Sequence, residues 1–193
     1  PENNAVALRA SRESLVLLKN AGNTLPLDAS RLKQLAVIGP NADETAFVHT
    51  HYGPLATEAV SVYEGLSKAL GNKARVVYEK GCELVDADWP LSEILPTEPT
   101  EEELAMIRRA VEAVRTSDAA VVVVGGGPRT CGENKSRTSL DLPGRQELLL
   151  REVRKVGKPM IVVLINGRPL SINWAAAHAD AILEAWYPGS HGG

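Results

Sequence analysis

Apolar positions along the chain fall into two kinds of pattern. The first kind is a short, nearly continuous run rich in valine and isoleucine, ended by glycine or proline. Runs that are apolar throughout, rather than alternating with polar residues, predict strands buried on both faces, as in parallel sheets. Such runs occur in QLAVIGPNA (34–42), ARVVYEKG (74–81), AAVVVVG (119–125), PMIVVLING (159–167) and DAILEAWYPG (180–189).

Between these runs, apolar residues recur at helical spacing. Residues 5–18 place Leu8, Leu15 and Leu18 on one stripe, and a polar turn at 20–23 ends that predicted helix. Thr100 with Glu103 three positions later forms a capping box, which predicts a helix start. Further helices are predicted around 62–70, from about 143 to 156, and near 171–178.

Strands that alternate with helices predict the fold class. We expect an α/β protein, a three-layer α/β/α sandwich with a mostly parallel sheet, formed by residues 1–193 as a single domain. The pattern breaks between 81 and 103, where three prolines and many acidic residues predict a surface loop. Ligands of open α/β sheets bind at the carboxyl ends of the strands, here the loops after Gly39, Gly125, Asn166 and Trp186.

Composition narrows the possible functions. The chain has 193 residues, 44% hydrophobic and 23% charged, with a net charge of −3, which is ordinary for a globular domain. The absence of a Lys/Arg-rich run argues against nucleic acid as a partner. No run is long enough to cross a membrane, and the first residues do not resemble a signal peptide. No cofactor is expected.

The histidines and cysteines give no metal prediction. His49 and His51 form an H-x-H pair, but no nearby carboxylate or cysteine completes a ligand set. Cys82 and Cys131 lack a CxxC spacing, and whether they pair with each other stays open.

The stretch GGGPRTCGENKSRTSLDLPGRQ (125–146) follows an apolar run and could serve phosphate binding or acid chemistry. The dinucleotide motif needs glycine at position 130, where Thr130 stands, and Pro128 removes a backbone donor. A P-loop would need Lys and Ser/Thr where Glu133 and Asn134 stand. We therefore do not predict a phosphate site.

Glu133 itself has two interpretations on residue chemistry alone. A glutamate in a polar loop is usually a solvated surface group, and the neighbouring cations Arg129, Lys135 and Arg137 suit a structural ion pair. An acid catalyst must instead be shielded in a pocket against a partner surface. Nothing within the chain clearly supplies that shield.

Several segments, in colinear order, resemble the second domain of family 3 glycoside hydrolases, the β-glucosidase and β-xylosidase type. They are SRESLVLLKN (11–20), LAVIGPNAD (35–43), GENKSRTSLDLPGRQELL (132–149), GKPMIVVLINGRPL (157–170) and ADAILEAWYPGSHGG (179–193). The resemblance implies a barrel with an aspartate nucleophile, joined to a sandwich that contributes a general acid/base glutamate. It aligns Glu133 with that glutamate.

The resemblance also sets expectations for the whole protein. The chain carries no barrel or nucleophile motif, and it ends where related sequences continue, so we expect a fragment that is inactive alone. The implied enzyme is a retaining, exo-acting β-glycosidase, with β-glucosidase favoured over β-xylosidase and a β-linked glucoside or oligosaccharide as substrate. Family resemblance favours a periplasmic or secreted location. The alternative is a carbohydrate-binding or purely structural domain.

Two further residues are candidates for substrate binding. Arg137 could orient Glu133 or bind sugar hydroxyls, although an ion pair that fixes the loop fits equally well. Tyr52 could stack on a sugar at the interface with the barrel, or it could pack in the domain. No residue is predicted as a metal ligand.

Overall fold

A computed structural model describes residues 2–45 and 58–193. The helices and strands alternate through most of the chain. In chain order they are α1 (Glu2–Ser14), β1 (Val16–Asn20), β2 (Gln34–Ile38), α2 (Val62–Leu70), β3 (Arg75–Glu79), α3 (Glu101–Arg115), β4 (Ala119–Gly125), α4 (Gln146–Arg154), β5 (Met160–Ile165), α5 (Asn173–His178) and β6 (Ala181–Glu184).

Within the described residues, the strands form one six-stranded sheet in the order β1-β6-β5-β4-β2-β3. Every neighbouring pair is parallel except β1 and β6, which run antiparallel. From β2 the chain passes to β3 on one side, whereas β4, β5 and β6 follow on the other side. The reversal lies between β2 and β4, the position at which open α/β sheets place their ligand crevice.

Helices cover both faces of the sheet and give it two cores. One core packs α3, α4 and α5 against one face, with Ile107, Leu149 and Ala175 among the buried helix residues. The other core packs α2 and segment 25–32 against the opposite face. All residues of β4 and β5 are buried, as expected for strands that are apolar on both faces. The predicted three-layer α/β/α sandwich with a mostly parallel sheet is confirmed.

The first predicted helix was wrong in its second half. The helix ends at Ser14, and residues Val16–Asn20 form strand β1, which pairs with β6. The stripe of Leu8, Leu15 and Leu18 fits a helix, but pairing with the backbone of β6 overrides that local preference. Helix α1 has no buried residue, so packing does not select a longer helix there.

The capping box predicted at the start of α3 is confirmed. The Thr100 hydroxyl accepts a hydrogen bond from the Glu103 backbone N–H at 3.2 Å. In return, Glu103 Oε2 accepts one from the Thr100 N–H at 2.8 Å. This reciprocal pair fixes where the segment 81–99 ends and the helix begins.

Glycines end strands β2 and β4 because the backbone approaches a neighbouring strand too closely for a side chain. A Cβ on Gly39 would lie 2.0 Å from the Val123 carbonyl oxygen, and one on Gly125 would lie 2.1 Å from that of Ile165. Both glycines also have positive φ, 119° and 135°. The glycine run at 125 thus begins with a tight backbone contact at the base of the loop.

The cysteines are two free thiols rather than a disulfide. Cys82 is buried, and burial raises the pKa of its thiol to about 12. A thiol in such a place packs as a small apolar side chain.

Candidate active site

The loop of residues 126–145 leaves the carboxyl end of β4 and is tied at its base by Gln146. Gln146 is fully buried at the first position of α4. Its Oε1 accepts a hydrogen bond from the Gly125 N–H at 2.7 Å, and its Nε2 donates to the carbonyls of Gly125 (2.9 Å) and Leu84 (2.8 Å). One amide therefore joins both ends of the loop to the segment after β3.

Gln146 was not among the predicted site residues, although the sequence contains a signal for it. Gln146 shares a helical stripe with Leu149, Leu150 and Val153, all of which are buried. A polar residue on an apolar stripe faces the core and must find hydrogen-bond partners there. That position predicts a buried amide.

The first turn of the loop is closed by Thr130. Its hydroxyl, which is buried, accepts a hydrogen bond from the Gly127 N–H at 3.0 Å. The backbone N–H groups of Thr130 and Cys131 donate to the Gly127 carbonyl at 2.9 and 3.0 Å. These contacts use the Gly127 N–H that a phosphate-binding glycine turn would offer to an anion.

Glu133 lies at the exposed tip of this loop. Its neighbours Gly132 and Asn134 both have positive φ, 131° and 60°, so the chain bends sharply on each side of it. Just beyond, the Lys135 N–H donates to the Gly132 carbonyl at 3.2 Å, and Arg168 Nη2 donates to the Lys135 carbonyl at 3.0 Å. The tip is thus a hydrogen-bonded turn braced from the loop after β5.

Arg137 forms its ion pair with Glu93, a residue of the acidic segment between β3 and α3. Nε and Nη2 of Arg137 lie 2.6 and 2.5 Å from Glu93 Oε1, and Nη2 also donates to the Asp141 carbonyl at 2.8 Å. The side chains of Arg137 and Glu93 are 3% and 7% exposed. The guanidinium carbon also lies 5.3 Å from the ring centroid of Trp89.

The acidic segment is therefore not simply a surface loop, which corrects the sequence prediction. Asp86 is buried, and its carboxylate accepts hydrogen bonds from the Asp88 N–H and the Ser92 hydroxyl. Burial disfavours ionisation of Glu93, but hydrogen bonds from Thr138 and Arg137 outweigh it and hold the pKa of Glu93 below its ordinary value. Local polarity does not reveal such distant partners.

The loops expected to carry the chemistry do meet at one edge of the sheet. Asn41, in the loop after β2, is buried and donates from Nδ2 to the Gly126 carbonyl at 2.9 Å. The Asn166 N–H donates to the Trp186 carbonyl at 3.1 Å and links the loops after β5 and β6. These contacts confirm where the strand ends place their loops.

Another glutamate lies near this edge, at the end of β6. Glu184 is buried, and burial raises its pKa, although hydrogen bonds from the Trp186 and Ala185 N–H groups oppose the shift. Its Oε1 accepts from the Trp186 N–H at 2.9 Å. The carboxyl group of Glu184 is therefore buried and held by its own strand end, whereas Glu133 is exposed.

Some predicted residues fall outside what the structure describes. Tyr52, His49 and His51 lie outside residues 2–45 and 58–193, so the stacking role of Tyr52 stays a prediction. Throughout the described residues, no three His, Cys, Asp or Glu side chains are grouped so that they could hold a metal ion. No helix in the same part of the chain is both long and apolar enough to cross a membrane.

Comparison with known proteins decides the family. The description "Glycosyl hydrolase family 3 C-terminal domain" matches residues 15–193. The chain belongs to glycosyl hydrolase family 3. This confirms the resemblance from which Glu133 was selected, although it does not test the role of that residue.

The family's relatives are similar to this chain along its length. It is 43% identical over 198 residues to a β-xylosidase of Formosa agariphila, covering 100% of this chain and 25% of that protein. It is 37% identical over 195 residues to a periplasmic β-glucosidase of Salmonella typhimurium, covering 97% and 25%. A solved β-glucosidase of Erythrobacter marinus matches with a TM-score of 0.80 and 30% identity, covering 99% of this chain and 27% of that one. The chain thus spans about a quarter of these relatives.

Proposed function

We propose that this chain is the acid/base domain of a longer retaining, exo-acting β-glycosidase. In this proposal Glu133 protonates the oxygen of the departing alcohol and later deprotonates the attacking water. The observation that carries the proposal is the exposed carboxylate of Glu133 on a braced loop at the edge where the strand-end loops meet. Ligands of open α/β sheets bind at this edge.

The proposed mechanism requires a second carboxylate, which comes from another part of the longer protein. Retaining glycosidases place the nucleophile about 5–5.5 Å from the acid/base group. We propose that an aspartate on a barrel domain, elsewhere in the longer protein, attacks the anomeric carbon. The 193-residue chain alone would then release no sugar, because it provides only one member of the pair.

The same barrel supplies the shielding that Glu133 needs. A proton donor works near neutral pH when it is enclosed in a site that excludes water. Glu133 is exposed, so the enclosing surface has to come from a partner that packs over the loop tip. Most sugar contacts would come from that partner too, with Tyr52 as a stacking platform on this side.

Arg137 has a smaller role in the proposed binding site. Its guanidinium already contacts Glu93, the Asp141 carbonyl and the face of Trp89. A direct contact with sugar hydroxyls stays a prediction, and the observed ion pair supports the loop-fixing role.

The sugar is proposed to be β-linked glucose, with xylose as the competing choice. Both names occur among the relatives, a β-xylosidase at 43% identity and a β-glucosidase at 37%. Aryl β-glucosides and aryl β-xylosides assayed side by side on the full-length enzyme separate the two. A kcat/KM higher for the xyloside would overturn the glucose assignment and leave the role of Glu133 untouched.

A leaving-group series on the full-length enzyme tests the role of Glu133. Loss of a general acid costs about 10²–10⁴-fold where the leaving group needs protonation. We therefore expect Glu133→Ala to reduce kcat/KM by that order on alkyl β-glycosides and far less on dinitrophenyl β-glycosides. Added azide should restore part of the rate of the second step, because azide replaces water as the attacking group.

The matched control is Glu152→Gln, which removes an exposed ion pair with Lys155 on α4. It should behave as the parent on every substrate. If Glu133→Ala shows the same leaving-group dependence as the parent, Glu133 is not the acid/base. Turnover by the purified 193-residue chain would contradict the shared-site proposal.

A further inference from the structure

In addition to Glu133, the structure contains a glutamate, Glu93, whose carboxylate hydrogen bonds go to the same loop. Glu93 uses both carboxylate oxygens toward residues of the loop 126–145. Oε1 accepts from Arg137, at 2.6 Å from Nε and 2.5 Å from Nη2. Oε2 accepts from the backbone N–H and the hydroxyl of Thr138, at 2.9 and 3.0 Å.

These contacts are shielded from water. The side chains of Glu93 and Arg137 are 7% and 3% exposed, less than those of the Arg145–Glu103 pair at 14% and 16%. A charge-assisted pair in such surroundings, with two guanidinium N–H groups on one carboxylate oxygen, fixes geometry more strongly than a surface pair. The loop position held in this way lies four residues after Glu133.

The segment that presents Glu93 is itself held in place. Ser92 donates its hydroxyl to Asp86 Oδ2 at 2.9 Å, and the Thr97 hydroxyl donates to Asp88 Oδ2 at 3.0 Å. At the far end of the loop, Gly144 packs so closely that a Cβ there would lie 2.8 Å from the Asp86 backbone nitrogen. Glu93 therefore extends from a turn already joined to the base of the loop.

We propose that Glu93 is a positioning residue for the acid/base: it clamps Arg137 and Thr138 and thereby sets where the Glu133 carboxyl group lies relative to the scissile oxygen. This inference rests on the function proposed above for Glu133. Glu93 is not proposed to touch the sugar. A misplacement of about 1 Å in a reacting group can lower a rate about 100-fold. A clamp four residues from Glu133 can therefore change the rate of proton transfer.

The test uses Glu93→Gln in the full-length enzyme. The amide keeps the shape of the side chain, but its NH₂ group cannot accept the hydrogen bonds that one of the two oxygens now receives. We expect kcat/KM on alkyl β-glycosides to fall about 10-fold, with a change of less than about 2-fold on dinitrophenyl β-glycosides. The loss should appear mainly in kcat, because the proposed role concerns proton transfer rather than ground-state binding.

A purely structural role gives a different result. In that case Glu93→Gln only lowers the active fraction, and every substrate loses rate by the same factor. Parallel losses of this kind would overturn the proposal. Glu152→Gln serves again as the control, since it removes an exposed pair on α4.

A milder variant keeps the test decisive if Glu93→Gln fails to fold. Thr138→Val removes the hydroxyl that donates to Oε2 and leaves the backbone N–H contact and Arg137 in place. We expect a selective loss of about 3-fold on alkyl β-glycosides. Leaving-group dependence equal to that of the parent in the variants that fold would overturn the proposal.

The outcome also separates this inference from the proposed function. If Glu133→Ala changes the leaving-group dependence but Glu93→Gln and Thr138→Val do not, only the clamp is wrong. If Glu133→Ala leaves that dependence unchanged, the acid/base assignment fails, and the clamp proposal fails with it.

Discussion

Glu93 and Glu133 lie in segments that follow β3 and β4 at the same edge of the sheet, and their surroundings are opposite. Glu93 is 7% exposed, with both oxygens bound to Arg137 and Thr138. Glu133 is exposed at the tip of its loop. The comparison teaches that the buried carboxylate holds the loop from within the fold, whereas the exposed carboxylate stays accessible from outside it.

The largest expected difference between the two glutamates appears when each is truncated and the free energy of unfolding is measured. Glu93→Ala leaves Arg137 buried without its partner, and removing one member of a buried ion pair costs about 3–5 kcal/mol. Glu133→Ala should change the free energy of unfolding by less than about 0.5 kcal/mol, as for most exposed positions. Urea unfolding of the 193-residue chain, followed by circular dichroism, measures both. Equal changes in the free energy of unfolding would show that Glu93 and Glu133 do not differ in their contribution to stability.

A second prediction concerns Gln146, the other residue that supports the loop. Gln146→Leu keeps the volume at the start of α4 but leaves the Gly125 N–H and two carbonyls without their bonds to the amide. Each buried polar group left unpaired costs about 1–3 kcal/mol, and partial relaxation reduces the sum to about 2–3 kcal/mol. Unfolding in urea reports the loss, with Gln146→Glu as the variant of similar shape. A stability equal to the parent's would show that the base of the loop is held by other contacts.

The smallest expected effect concerns pH. The pKa of Glu93 is lower in the folded chain than its ordinary value of 4.5, so its ionised form stabilises the fold. That contribution is complete above pH 4.5 and is lost as the pH falls through the lower folded value. The difference in unfolding free energy between the parent and Glu93→Gln should therefore narrow on acidification below about pH 4.5. A constant difference across that window would show that the pKa of Glu93 is the same in the folded and unfolded chain.

The buried strands could be predicted from the sequence because their pattern has a physical cause that is local. AAVVVVG and MIVVLI are apolar at every position, since both faces of β4 and β5 face helices. The Thr100 capping box was equally local, because its partners lie three residues apart. Such features need no knowledge of distant residues.

Strand β1 could not be predicted in this way. Its residues Val16, Leu17 and Leu18 are 41%, 51% and 52% exposed, so no core selects their period. What makes Val16–Asn20 a strand is pairing with β6, whose residues come late in the chain. Local periodicity does not carry that information.

The candidate site was predictable in position but not in its supports. Strand ends pointed to loops that the structure brings together, and the family resemblance singled out Glu133, whose role stays a prediction. The partner of Arg137 could not be found, because Glu93 lies 44 residues earlier in a segment whose prolines and acidic residues resemble any solvated loop. Buried ion pairs of this kind are set by the fold as a whole.

The separation of Glu93 from Arg137 along the chain has a practical consequence for protein engineering. A chimaera that exchanges only residues 126–145 between related enzymes would transfer Glu133 at the loop tip. It would not transfer the acidic segment 86–97, which contacts Arg137, Thr138 and Arg145 of that loop. Because residues 86–97 contact the loop from outside the exchanged segment, the transferable unit consists of two separate stretches of sequence.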